Sequence, residues 1–180
     1  RLGEWFSAER FGVEPDLLTF AKGVTSGVVP LGGVLVSDTV YETSMQGEEH
    51  LIEFPHGYTY SGHPLACAAG LAAIQAYEKE SMFENASILE PLLESAVHGL
   101  LDEPHVVDIR NIGLAAAVQL APRKGEPTKR ALDVFEHCLS QGVMLRYTGD
   151  TIAIGPALVA KEAEIGRIIE VLRSALRAVD

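Results

Sequence analysis

Positive charge is what this sequence has least of. Its 14 lysines and arginines face 25 aspartates and glutamates, a formal net charge of −11. A nucleic acid is gripped by clustered cations, so this balance argues against DNA or RNA as a partner. Cysteine is nearly absent: Cys67 and Cys138 stand far apart, in no metal-binding or redox spacing. The expectation is two small buried thiols in a reducing cytoplasm. No apolar run reaches the roughly 18 residues of a membrane span, and no charged-then-apolar leader opens the chain. An initiating methionine is missing too; the chain opens abruptly at Arg1-Leu2-Gly3. Internal repeats and low-complexity segments are absent. What is plentiful is apolar surface: 47% of the 180 residues are hydrophobic, enough for the core of one domain or two small ones.

The apolar pattern divides the chain in two. Residues 16–21 read as a short apolar strand after a Pro-Asp turn, and residues 32–37 as a second strand, buried in a sheet covered on both faces. Asp38 can cap a short helix over 39–45, and a polar loop follows over 46–54. Residues 65–79 are nearly all small or apolar, which predicts a helix packed closely on most sides. Beyond it the pattern becomes regular. Ile88, Leu89, Leu92, Leu93, Ala96, Val97 and Leu100 repeat at helical period over 82–101, with Pro91 inside as a possible kink. Two strands, 106–110 and 114–120, flank the Asn111-Ile112-Gly113 turn. A helix over 128–141 ends at Gly142, a hairpin pairs 143–147 with 151–154, and a last helix covers 161–179. The reading is α/β: residues 1–80 hold glycine-rich loops and buried strands, and residues 81–180 form a regular α+β unit.

Three places carry chemistry. Lys22 stands where the first strand runs out, followed by Gly23 and Gly27, which allow a sharp turn or close approach of a ligand. Burial there would disfavour the ammonium and free a nucleophilic amine able to form a Schiff base; a surface lysine closing a strand is the alternative. Thr59 lies in His56-Gly57-Tyr58-Thr59-Tyr60-Ser61-Gly62-His63-Pro64, just before the small-residue helix. A helix start with Pro in its first turn is a seat for phosphate, and ordinary capping by Thr59 or Ser61 is the alternative. His56 and His63 match no metal pairing and read as structural. Arg146 interrupts an apolar strand and, by alternation, shares a face with Met144. It either binds a carboxylate through two parallel hydrogen bonds or points at water from an edge strand.

Taken together, these stretches resemble class III pyridoxal-phosphate aminotransferases, and within them the ω-amino acid:pyruvate (β-alanine:pyruvate) aminotransferases. The likeness is carried by Asp16-Leu17-Leu18-Thr19-Phe20-Ala21-Lys22-Gly23, by Pro30-Leu31-Gly32-Gly33-Val34 and by the stretch from His56 to Gly70. Asp108-Ile109-Arg110-Asn111-Ile112-Gly113-Leu114-Ala115 and Arg146-Tyr147-Thr148-Gly149-Asp150-Thr151 match as well, so that it runs over essentially the whole chain. The resemblance implies a fold type I transferase: part of the cofactor-binding large domain over 1–80 and the C-terminal small domain over 81–180. It implies that Lys22 holds pyridoxal 5'-phosphate as a Schiff base and shuttles a proton, with the ring as electron sink. It implies that Thr59 binds the cofactor phosphate of the partner subunit in a homodimer. Arg146 would hold the carboxylate of pyruvate or of the amino acid and swing aside for donors without one.

The resemblance also implies parts that lie N-terminal to Arg1: an aspartate for the pyridinium nitrogen, a small-residue loop for the phosphate, and an aromatic residue stacked on the ring. The expectation is therefore the C-terminal half of a longer cytoplasmic enzyme. The other readings kept open are a non-catalytic fragment without cofactor and a sister enzyme of the same family, such as a 4-aminobutyrate or diamine aminotransferase or an aminomutase.

Overall fold

The computed structural model describes residues 1–50, 54 and 56–180. The loop expected over 46–54 therefore lies partly outside the described residues. The chain forms two compact units: Phe6–Ser81, and Met82–Asp180 joined by Arg1–Trp5.

In the first unit, a short helix α1 (Ser7–Phe11) leads into strand β1 (Leu17–Ala21). A single 3-10 turn (Lys22–Thr25) follows, then strand β2 (Gly32–Val36) and helix α2 (Asp38–Ser44). β1 and β2 pair antiparallel, with Leu17 opposite Val36 and Ala21 opposite Gly32. The Ser37 side chain, not that of Asp38, caps α2 by accepting from the Val40 N–H at 3.4 Å, and its hydroxyl donates to Asp16 Oδ1 at 3.0 Å. The expectation that β2 is buried on both faces is not met: Val34, Leu35 and Val36 are 53%, 49% and 44% exposed. A two-stranded ribbon has nothing to bury against until another layer lies on it, and among the described residues none does. Helix α3 (Pro64–Lys79) starts with Pro at its first position, as expected. Its close packing on most sides is also not found: Ala66 and Gly70 are its buried residues, while Cys67, Leu65 and Leu71 are exposed. The packed face is the one turned to the 3-10 turn. A Cβ at Gly70 would come within 3.3 Å of Leu31 and 3.6 Å of the Val24 carbonyl oxygen, so glycine permits this approach.

The second unit is built as the hydrophobic periodicity predicts. Helix α4 (Met82–His98) runs through Pro91. Strands β3 (Val106–Ile112) and β4 (Ala115–Leu120) form a hairpin, helix α5 (Lys129–Ser140) follows, and β5 (Arg146–Thr148) turns tightly into β6 (Thr151–Ile154). Helix α6 (Glu162–Ala178) closes the unit. The four strands make one antiparallel sheet in the order β3-β4-β6-β5. Strand alternation sends Ile109, Val118, Leu120, Ile152 and Ile154 to one face, where Leu89, Leu93 and Val97 of α4, Val134 of α5, and Ile165, Ile169, Leu172 and Leu176 of α6 meet them in one core. Ile88 and Leu92 share the period of α4 but stay 60% and 37% exposed. Gly142 ends α5 in the left-handed conformation, φ +78°.

Two features tie this unit's ends together. Glu103, in the loop after α4, receives hydrogen bonds from Arg173 at 2.7 Å and from two nitrogens of Arg177 at 2.7 Å. Arg1–Trp5 runs beside the β3–β4 turn: the Leu114 N–H donates to the Arg1 carbonyl at 2.8 Å, and the Trp5 and Phe83 rings meet edge to face at 4.6 Å. Gly113 sits at that crossing with φ +53°, where a Cβ would collide with the Arg1 backbone.

Candidate functional site

The end of β1 is where the chain departs most from regular geometry. Ala21 is extended (φ −165°), and Lys22 then turns to φ +54° to open the 3-10 turn. Ser26 (φ +53°) and Gly27 (φ +79°) close it, with Ser26 N–H donating to Gly23 O at 2.9 Å and Gly27 N–H to Lys22 O at 3.0 Å. A non-glycine residue held at positive φ costs about 1–3 kcal/mol, so surrounding structure must enforce it. Thr25 is buried and its hydroxyl donates to Val29 O at 2.6 Å. The Tyr77 hydroxyl, from the last turn of α3, donates to Gly23 O at 2.7 Å.

Lys22 is exposed and has no ion-pair partner among the described residues. The burial expected from its strand-end position is therefore not found among the described residues: Leu18 and Phe20 of its strand are half-buried, while Leu17, Thr19, Ala21 and Lys22 itself are exposed. Lys22 is one of the residues lining an open depression of about 570 Å³, with Thr25, Gly27, Val29, Leu31 and Gly32. That is the size range of small-molecule sites. A second depression, of about 430 Å³, is lined by Phe6, Glu9, Val13, Glu14, Pro15 and Leu18 and holds no lysine.

Thr59 lies in the turn that precedes α3, in the same unit as Lys22. The capping alternative does not hold. His63 is the cap residue of α3 and no side chain caps it, while Ser61 Oγ accepts from the Tyr58 N–H at 3.0 Å instead. The Thr59 hydroxyl is exposed and without a hydrogen-bond partner among the described residues. His56 stacks between Phe54 and Tyr58, at 5.6 and 5.3 Å, and His63 lies against Tyr60 at 5.9 Å.

Arg146 belongs to the other unit, at the start of the edge strand β5. The register puts it in one row with Ala153 of β6, Ala117 of β4 and Arg110 of β3, on the sheet face away from the helices. The opposite alternation holds too: Tyr147 packs its ring on Phe135 of α5, centroids 5.4 Å apart. The two arginines of the row differ. Arg110 is held by Asp108 at 2.8 Å and Gln119 at 3.2 Å. Arg146 is exposed over small neighbours, and among the described residues it is the one arginine without a hydrogen-bond or ion-pair partner. Sequence reasoning singled out Arg146 but missed Tyr77, which looks like one more apolar residue of a helix until its hydroxyl is placed.

The comparisons with known proteins agree over the whole length. The family profile of class-III aminotransferases matches residues 1–176. The omega-aminotransferase of Caulobacter vibrioides is 49% identical over 180 residues, all of this chain and 41% of that protein. The beta-alanine–pyruvate aminotransferase of Pseudomonas aeruginosa is 44% identical, covering 99% of this chain and 40% of that protein. Among solved structures, a thermostable (S)-enantioselective omega-transaminase from Thermomicrobium roseum superposes with a TM-score of 0.88 at 36% identity, over 99% of this chain and 40% of its own. The chain thus spans about 40% of the length of the relatives it matches. The α/β architecture is the corresponding part of the fold type I transaminases. With a profile match over residues 1–176 and relatives this similar, the chain belongs to the class-III aminotransferase family.

Proposed function

We propose that this chain is the part of a pyridoxal-phosphate-dependent aminotransferase that carries its reactive lysine, and that the whole enzyme moves an amino group from an ω-amino acid or amine to pyruvate. The observation that carries the reading is Lys22: an unpaired amine at a strand end, with its backbone held at φ +54°, on the rim of an open depression. Arg146, free while every other arginine is engaged among the described residues, supports it. The names of the relatives, omega-aminotransferase and beta-alanine–pyruvate aminotransferase, point to the same donor class and acceptor.

The residues present fit the cofactor. Lys22 offers an accessible amine beside a depression of suitable size, and Thr59 offers a hydroxyl not used in its own turn. Bound there, pyridoxal 5'-phosphate would supply an aldehyde for the lysine and an electron-accepting ring. Lys22 would hold it through its side-chain amine, and the same Nζ would take and return the proton at the substrate carbon that bears nitrogen. Thr59 Oγ1 would donate to the cofactor phosphate of the partner subunit in a homodimer. Arg146 holds the carboxylate of pyruvate or of the amino acid through two parallel hydrogen bonds. In this reading residues 1–80 belong to the cofactor-binding large domain and 81–180 to the small domain, and the enzyme works in the cytoplasm.

In the full-length protein, Lys22→Ala is expected to lower kcat/KM at least about 1000-fold without changing the fold. A variant that transaminates at the parent rate overturns the reading. Arg146→Ala is expected to raise KM for pyruvate about 10- to 100-fold, the loss of a charge-assisted pair. It should leave the half-reaction with a carboxylate-free amine nearly unchanged. An equal loss with both substrates removes Arg146 from the site. Pyruvate should exceed 2-oxoglutarate as acceptor; the reverse preference favours a sister enzyme of the 4-aminobutyrate type.

A further inference from the structure

We infer that Tyr77 is a positioning residue for Lys22: its hydroxyl, donated to the Gly23 carbonyl from the last turn of α3, holds the Gly23–Val24 peptide, one residue past the lysine, and so steadies the turn that aims the amine. The inference rests on the reading of Lys22 as the cofactor-bearing amine.

The geometry begins with α3. Gly70 and Tyr77 are two helical turns apart and therefore share one face of α3. Both meet the same short turn. At Gly70 the missing side chain lets the helix approach Val24 and Leu31, with 3.6 and 3.3 Å to a would-be Cβ. At the other end of that face Tyr77 reaches back, its hydroxyl 2.7 Å from Gly23 O. A Cβ placed on Gly23 would lie 3.8 Å from the same hydroxyl, so the two residues are in direct contact. The helix thus braces the turn at two points, one of them by a directional bond.

The braced turn is also the strained one. Lys22 and Ser26 are both non-glycine residues at positive φ, and they flank the single 3-10 turn. From inside, the turn is closed by Ser26 and Gly27 N–H bonds and by Thr25 on Val29. The Ser26 N–H and the Tyr77 hydroxyl meet on the same Gly23 carbonyl, and Tyr77 reaches it from outside the turn. Without that bond, Lys22 can relax towards negative φ, where L-residues are more stable. A change in φ rotates the Cα–Cβ direction, and the long side chain carries that rotation out to Nζ. Tyr77 never meets the substrate in this account. It acts through the lysine, so its loss should slow the chemical step without weakening substrate binding.

The test is Tyr77→Phe in the full-length protein, which keeps the ring and its packing and removes the donor alone. Three readouts are taken with Lys22→Ala in parallel. The inference expects kcat to fall about 10-fold, with KM for the amino donor and for pyruvate within about twofold of the parent. It expects hydrogen exchange at the Ser26 and Gly27 amides to accelerate about 10-fold, with β4 and α6 unchanged. Unchanged kcat with unchanged exchange overturns it. Faster exchange throughout α3 and β1 also overturns it, because Tyr77 is then a general support of the unit. If Lys22→Ala retains activity, the reading of the lysine itself fails; if Lys22→Ala is inactive and Tyr77→Phe behaves as the parent, only the role of Tyr77 fails.

Discussion

The two units of this chain are made of similar residues and put them to opposite uses. Residues 82–180 bury their own apolar surface: Leu93, Val97, Leu114, Val118, Leu120, Ile152 and Leu172 are fully or almost fully inaccessible around one core. Among the described residues of 6–81 the buried set shrinks to Thr25, Ala66 and Gly70, while Leu17, Val34, Leu35, Leu65 and Leu71 face outward. Yet Lys22, Thr59 and the strained turn all lie in the second of these. A region can carry a reactive group, a depression and an enforced backbone geometry while supplying little of the burial that would hold it. The hydrogen bonds around Lys22, from Tyr77, Thr25 and Gly27, thus carry a larger share of the local order than any single bond carries in the cored unit.

Several measurements would break or sharpen this contrast. The largest effect is expected in hydrogen exchange of these 180 residues expressed alone. Amides of α4, β4 and α6 should be protected on the order of 1000-fold more than those of β1, β2 and α3. Equal protection would mean that unit 6–81 finds its stability without a core. Next come truncations. Leu93→Ala or Leu172→Ala should cost about 3–5 kcal/mol in denaturant unfolding, since both side chains are fully buried. Leu71→Ala, at a position 63% exposed, should stay within about 0.5 kcal/mol.

A smaller effect concerns pH. Hydrogen bonding to Arg177 first, and to Arg173, holds the Glu103 carboxyl below its ordinary value of 4.5, against an opposing desolvation. The folded state therefore binds this proton more weakly than the unfolded chain. Its stabilising contribution is complete above 4.5 and is lost as pH falls through the depressed value. Asp133, held low by Lys129 and then Arg123, acts in the same direction. Glu103→Gln should flatten part of the acid-side fall in melting temperature of the cored unit and leave the neutral-pH exchange of β1 and β2 unchanged. The smallest readout is thiol labelling of the same 180 residues. Burial pushes the Cys138 thiol up to about 11, so a thiol reagent at neutral pH should label Cys67 and reach Cys138 after denaturation. Labelling of both in the folded chain would deny the core its integrity.

How much the sequence discloses follows the same division. In the cored unit, periodicity alone locates α4, α5, α6 and both hairpins within a residue or a few, because each element's apolar face meets its partner inside the chain. Gly142 after α5 and Pro64 at the start of α3 are read correctly for local reasons, left-handed φ and a dispensable N–H. In the other unit the same reasoning misleads. Gly32-Gly33-Val34-Leu35-Val36 has the composition of a buried strand, but composition states a tendency to be covered and does not supply the cover. Cys67 fails for that reason, while Cys138 is buried as expected. Among the candidate residues, Lys22 and Arg146 are each legible as a polar group in an apolar stretch of sequence. The left-handed turn at Lys22 and the Tyr77 bond are not legible, since neither leaves a pattern along the sequence: one is a single φ angle and the other joins residues 54 positions apart.

The central claim is that one amine, Lys22, carries the cofactor. Borohydride reduction of the full-length protein after incubation with pyridoxal 5'-phosphate, followed by peptide mapping, tests it directly. The account predicts a stable pyridoxyl label on the peptide containing Lys22, and none on those of Lys79, Lys124, Lys129 or Lys161. A label spread over those lysines, or a Lys22 peptide recovered unmodified from active enzyme, would contradict it.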